Sequence, residues 1–224
     1  MCGYIPFPTQ CITKVMLALE FLYRGARNPA RVALFPGTWN PPTVAHAGIA
    51  RIARNHADEV IWVLPRTFPH KDFEGADFDA RRGMLDILAR EHPGFSAAVS
   101  EGGLYSEIAR EARDYFGPET GIALVLGRDA AERIAAWDYG APGVFDDFVR
   151  RYKLLVAARR GEYEPAAQHR NFISTLPMES SWDDVSSSEV RRRIAGGKDW
   201  RALVPDAIAE SVEAAFLSHD RTEW

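Results

Sequence analysis

Short apolar runs alternate with stretches of helical spacing along most of this chain, and that alternation constrains the fold more than any other feature. Arg31–Phe35 (RVALF), Glu59–Leu64 (EVIWVL), Ile122–Leu126 (IALVL) and Lys153–Ala158 (KLLVAA) read as buried strands. Phe95–Ser100 is a weaker strand and Ile173–Leu176 a short further one. Between them, Val44–Asn55, Phe78–Glu91, Ser106–Phe116, Ala130–Ala136 and Val144–Tyr152 read as helices, with Asp77 placed as an N-cap and Pro93-Gly94 as a stop. Strands that are apolar throughout are covered on both faces. Strands alternating with helices imply a parallel, doubly wound α/β sheet of about five to six strands with right-handed crossovers.

Helical additions flank this sheet. Ile12, Val15, Met16, Leu19, Leu22 and Tyr23 fall at helical spacing and predict an amphipathic helix ending near Gly25, so that residues 1–30 form an N-terminal extension. Residues 31–195 form the α/β domain, closed by a helix at Ser187–Ala195. Residues 196–224 follow Gly196-Gly197 as a helical segment, Pro205–Ser218, packed on the same domain. The loop Arg66–Gly75 is long and charged, contains Pro69, and is the best candidate for a mobile substrate loop.

The net charge of -4 disfavours a general nucleic-acid binder, which would be basic. A small phosphorylated ligand stays open, because it needs only a local cluster of donors. The two cysteines, Cys2 and Cys11, make neither a disulfide framework nor a zinc site and fit a reducing cytoplasm. No apolar run approaches the roughly 18 residues of a membrane span. Val15–Leu22 is interrupted by Glu20 and lacks a basic start, which argues against a signal peptide.

Doubly wound sheets bind ligands at the carboxyl ends of their strands. Four motifs fall there. Phe35-Pro-Gly-Thr-Trp-Asn-Pro-Pro-Thr-Val-Ala-His46 follows the first of the strands above and opens a helix. Gly37 and Thr38 are placed to offer backbone N–H groups to a phosphate at the helix N-terminus. Thr43 and His46 share a face of the first helical turn, where a hydroxyl and an imidazole can reach phosphate oxygens. The plainer reading makes Pro41-Pro42 a helix start and His46 a packing residue. The second motif is Asp184-Val-Ser-Ser-Ser-Glu-Val-Arg191. Ser186 and Glu189 have capping-box spacing, while Ser186, Ser187, Ser188 and the helix end also form an anion site that Arg191 can clamp.

The third is Leu126-Gly-Arg-Asp129 with Trp137 beyond it. Gly127 permits close approach, Asp129 accepts bonds from ribose hydroxyls or a metal-bound water, and Trp137 offers a flat face to a heteroaromatic ring. The fourth is Leu64-Pro-Arg-Thr-Phe-Pro-His-Lys71, followed by Arg81-Arg82-Gly-Met84-Leu85. His70 and Lys71 are suited to an anionic substrate, though a solvated polar loop would look the same.

The first motif resembles the T/H-x-x-H signature of the nucleotidyltransferase superfamily, with Trp39 for phenylalanine, Thr43 for the more frequent first histidine and Ala45 for glycine. The second resembles that superfamily's I-S-S-T-x-[IV]-R signature, with Val185 and Ser188 as the departures. The third and fourth resemble segments of bacterial nicotinate-nucleotide adenylyltransferases. The resemblance covers Val32–Ile194 and implies a Rossmann-like fold. It implies that Gly37, Thr38, His46, Ser186, Ser187 and Arg191 bind ATP, that His46, Thr43 and Arg191 are catalytic, and that Trp137, Asp129, Gly127, His70 and Lys71 bind the acceptor.

The implied reaction is transfer of AMP from ATP to nicotinate or nicotinamide mononucleotide, with release of pyrophosphate, in NAD biosynthesis. Mg²⁺ would accompany ATP, held through phosphates and water rather than directly by the protein. No nucleic acid or membrane partner is expected, and the terminal additions leave room for a homo-oligomer. Three other readings remain at this level. The acceptor can be phosphopantetheine or another phosphate, with adenylyl or cytidylyl transfer. The chain can be a nucleotide sensor without activity, although His46 and Arg191 argue for an enzyme. A fragment of a class I aminoacyl-tRNA synthetase is disfavoured by the short, acidic chain.

Overall fold

A computed structural model describes residues 19–68, 75–158 and 161–217. Its strands are β1 (Glu20–Tyr23), β2 (Arg31–Pro36), β3 (Glu59–Pro65), β4 (Phe95–Ser100), β5 (Gly121–Gly127), β6 (Lys153–Ala157) and β7 (Ile173–Leu176). The helices are α1 (Val44–Ala53), α2 (Phe78–Arg90), α3 (Tyr105–Phe116), α4 (Arg128–Ala135), α5 (Val144–Arg151), α6 (Ser187–Ala195) and α7 (Ala209–Leu217). The strands form one seven-stranded sheet in the order β1-β4-β3-β2-β5-β6-β7. All neighbours pair in parallel except β1 and β4. The strand order reverses between β2 and β5, so the crevice of this Rossmann-like sheet opens at their carboxyl ends.

The strand alternation sorts side chains onto two cores. Ala33 and Phe35 of β2, with Val60, Trp62 and Leu64 of β3, face α1, α2, α6 and α7. Val32 and Leu34, with Ile61 and Val63, face α3, α4 and α5. Both faces of the sheet are therefore dry, which explains why the central strands lack polar alternation. The C-terminal segment joins the first core through Trp200, Val204, Ile208 and Val212. Its helical start is a single 3₁₀ turn, Asp206–Ile208, that runs into α7. No described helix is long and apolar enough to cross a membrane.

The N-terminal segment departs from its helical spacing. Of the expected amphipathic helix, residues 12–18 lie outside the described residues, and Glu20–Tyr23 is a strand. It pairs antiparallel with the edge of β4, raising the strand count to seven where five to six were expected. The open edge of β4 supplies ladder partners that a local helix cannot, and Phe21, Leu22 and Tyr23 still reach apolar cores. A buried pair seals the junction. Arg24 donates to Glu59 through Nε at 2.9 Å and Nη2 at 3.1 Å, and the Glu59 side chain is fully buried. Ser96 donates its hydroxyl to the same carboxylate while accepting from the Gly25 N–H at 2.9 Å.

Candidate active site

The loop from Gly37 to Pro42 joins β2 to α1 at the sheet crevice. It is stitched to β3 by two donors on one carbonyl. The Gly37 N–H and the Trp39 indole Nε1–H both donate to the Val63 oxygen, at 3.1 and 2.8 Å. Trp39 takes a left-handed backbone, φ 53°, that a bulky residue adopts only under external constraint. The constraint is its indole, 2% exposed, wedged at 4.9 Å from both the Phe35 and Trp62 rings. A Cβ on residue 37 would lie 2.7 Å from that indole, so the wedge requires glycine there.

Thr43 caps α1. Its N–H donates to His46 Nδ1 at 3.0 Å, and its hydroxyl lies 2.9 Å from the same nitrogen while accepting from the His46 N–H. An Nδ1 that accepts an amide proton leaves the ring proton of the neutral imidazole on Nε2. The Trp39 edge meets the imidazole at 5.2 Å and 80°, fixing its plane. The result is an oriented N–H donor, part-buried, at the positive end of α1.

The start of α6 docks on the same loop across more than half the sequence. Ser187 donates its hydroxyl to the Pro41 carbonyl at 2.8 Å. Arg191 Nη1 donates to the Asn40 carbonyl at 2.6 Å, and its Nη2 reaches Ser188 at 3.4 Å. Asn40 is buried, and its side-chain oxygen accepts from the Ala76 N–H at 3.0 Å. The Ser180–Trp182 turn supports this docking, because the Trp182 ring sits where a Cβ on Gly48 would be. Hydroxyls, an imidazole and a guanidinium thus gather on the loop at the N-terminus of α1.

On the other side of the crevice, Gly127 ends β5 and caps α4. Asp129, in the first turn, is 91% exposed. Trp137 is 56% exposed and, with the segment through Phe145, lines an open hollow of about 430 Å³.

The profile of the cytidylyltransferase-like family matches residues 34–193, a span that holds every element of this crevice. The chain belongs to the cytidylyltransferase-like family. Among its curated relatives is a probable nicotinate-nucleotide adenylyltransferase of Salinibacter ruber, 32% identical over 194 residues, covering 83% of this chain and 96% of the relative. Another is that of Citrifermentans bemidjiense, 29% identical, covering 85% and 99%. In fold, the chain is similar to a nicotinic acid mononucleotide adenylyltransferase of Plasmodium falciparum solved with NaAD, at a TM-score of 0.64, 17% identity and coverage of 85% of this chain and 96% of that one. Family membership makes this chain a nucleotidyltransferase.

In this nucleotidyltransferase, Thr43, His46, Ser187 and Arg191 converge on the Gly37–Pro42 loop. Gly127 and Asp129 lie at the start of α4 after β5, and Trp137 follows the end of that helix and lines the separate hollow. His70 and Lys71 lie outside the described residues. Two local expectations need correction. The Gly37 N–H is committed to Val63, so Gly37 serves the loop by lacking a side chain rather than by donating to phosphate. Ser186 does cap α6, its oxygen accepting from the Glu189 N–H at 3.1 Å, but the reciprocal half of the box is missing. The Glu189 carboxylate turns instead to Arg192 and Arg193, which hold its pKa down to about 2.

Sequence reading passed over Trp39 and Asn40 as functional parts. Their importance lies in contacts with Val63, Ala76 and Arg191, all distant along the chain. The one available signal was two polar-capable residues inside a loop otherwise built for turning.

Proposed function

We propose that this chain transfers the AMP of ATP to nicotinate mononucleotide, releasing pyrophosphate, as a step of NAD biosynthesis. The observation that carries the reading is the convergence of the Thr43–His46 pair with Ser187 and Arg191 on one loop. The names of the curated relatives support the choice of acceptor.

The acceptor phosphate is already ionised near neutral pH, so no protein group need act as nucleophile or base. Its oxygen attacks the α-phosphorus in line, and the bond to the bridging oxygen of pyrophosphate breaks. The protein contributes position and charge. His46 donates from Nε2 to the phosphate oxygens and steadies the pentacovalent arrangement, with Thr43 holding the ring and assisting as a donor. Thr38 lies in the same loop, at the triphosphate. Arg191 and the first backbone N–H groups of the Ser186-capped α6, that of Ser187 among them, hold the leaving pyrophosphate, while the Ser187 hydroxyl ties that helix end to Pro41. Asp129 accepts from ribose hydroxyls, Gly127 leaves room for the sugar, and Trp137 stacks on the pyridine ring.

No group of three or more His, Cys, Asp or Glu among the described residues is arranged to hold a metal ion. The hydroxyl, imidazole and guanidinium groups at the loop suit the triphosphate oxygens, so Mg²⁺ would arrive on the triphosphate and be held by phosphate and water. Bound in that way, it would neutralise phosphate charge. A cytoplasmic location, where ATP is made and thiols stay reduced, accompanies this reading.

Pyrophosphate release is measured from ATP and Mg²⁺ with nicotinate mononucleotide, nicotinamide mononucleotide and phosphopantetheine in parallel. Turnover highest with nicotinate mononucleotide is expected. Turnover with phosphopantetheine alone would overturn the acceptor assignment and the role of Trp137.

A further inference from the structure

Arg81 belongs to α2, outside the converging groups described above, yet its side chain reaches the nucleotide loop. The residue is 5% exposed. Its Nη1 donates to the Thr38 carbonyl at 3.2 Å and its Nε to the Asp77 carbonyl at 3.1 Å. Its guanidinium carbon lies 5.7 Å from the Phe68 ring centroid and 5.9 Å from that of Phe78. A guanidinium stays charged in proteins, and burying a charge is costly, so its placement needs a return. Desolvation is the largest influence on this group and lowers its pKa, with Asp77 only partly offsetting it. A planar fork holds two carbonyls in a fixed relation, whereas an ammonium on a flexible stem fixes no such geometry. Helix α2 is thereby braced against residue 38, near the start of the loop and next to its bend at Trp39.

We propose that Arg81 is a positioning residue for ATP: it clamps Thr38 through the carbonyl, sets the path of the Gly37–Pro42 loop, and places a fixed positive charge behind the triphosphate. It acts through the loop and does not touch substrate. The inference rests on the reading of that loop as the ATP site.

Steady-state kinetics with ATP and nicotinate mononucleotide varied separately test it, using Arg81→Met, Arg81→Lys and, as a control on the exposed side of α2, Arg82→Met. Arg81→Met is expected to raise the KM for ATP about tenfold, the effect of one charge-assisted hydrogen bond, with the KM for the mononucleotide nearly unchanged. Arg81→Lys keeps the charge but loses the rigid fork, so its KM for ATP should lie between the two. Arg82→Met should match the parent enzyme. Equal changes in both KM values, or a lower melting temperature with an unchanged KM for ATP, would overturn the proposal. If Arg81→Met does not fold, Arg81→Lys decides alone: a selective rise in the KM for ATP supports the clamp and a parental value overturns it. His46→Ala in the same assay separates the two levels. Unimpaired turnover in that variant removes the ATP-site reading itself, whereas impaired turnover beside a normal KM for ATP in the Arg81 variants removes only the clamp.

Discussion

Thr43 grips His46 twice at one nitrogen: its backbone N–H and its hydroxyl lie 3.0 and 2.9 Å from Nδ1. The imidazole is thereby oriented before any ligand arrives, which is the condition for electrostatic stabilisation without reorganisation. His46→Ala is expected to lower kcat about 10²–10³-fold, the loss seen for one preorganised donor. Thr43→Val keeps the backbone N–H and should cost less, about tenfold. Pyrophosphate release under saturating substrates measures both, and an equal loss in the two variants would deny the ring its special place.

Arg191 and the Asn40 carbonyl join the two halves of the site at 2.6 Å. Arg191→Lys keeps a charge but loses the forked geometry, so kcat/KM for ATP should fall by about ten- to a hundredfold. Folding should be preserved, because Val190, not Arg191, carries the buried face of α6. Circular dichroism beside kinetics tests the separation.

Trp137 is 56% exposed, so removing its indole opens no core cavity. Trp137→Ala should raise the KM for the mononucleotide about tenfold or more, the scale of one lost aromatic stack. The KM for ATP and the melting temperature should hardly move. A rise confined to ATP would move Trp137 to the other substrate.

Arg24→Ala strands the fully buried Glu59 carboxylate with Ser96. Removing one partner of a buried pair costs about 3–5 kcal/mol. The lower end is expected here, since the Arg24 side chain is 25% exposed. Urea unfolding should show the loss while the KM values stay parental, because the latch lies at the opposite end of β3 from the site.

Glu189 should titrate near pH 2 against an ordinary 4.5, because Arg192 and Arg193 donate to its carboxylate. The folded form then binds fewer protons than the unfolded one. Its contribution is complete above about pH 4.5 and fades as the pH falls towards 2. The effect is small for exposed ion pairs. Glu189→Gln should flatten the melting temperature over that window relative to the parent chain. An identical pH profile would show that the pairs contribute nothing measurable.

Much of the site was legible because its chemistry is local. Thr43 and His46 share a helical turn, and Ser186 caps α6 from its own first turn, so spacing alone brings those groups together. The glycine at residue 37 was legible as a need but not as a cause, since the indole it accommodates returns from two residues ahead through an unusual backbone angle. Leu19–Tyr23 suits a helix or a strand equally well, and only the open edge of β4 chooses between them.

The sequence by itself determined the parallel sheet, the crevice at its carboxyl ends and the pairing of Thr43 with His46 in the first turn of α1. Apolar periodicity and capping act within a few residues and are written in order along the chain. Tertiary structure alone decided that Arg191 meets Asn40, that Ser187 meets Pro41, that Arg81 braces Thr38 and that Glu20–Tyr23 extends the sheet. Each of those contacts joins segments far apart in sequence, and its partner is set by packing across the cores, which no local pattern encodes.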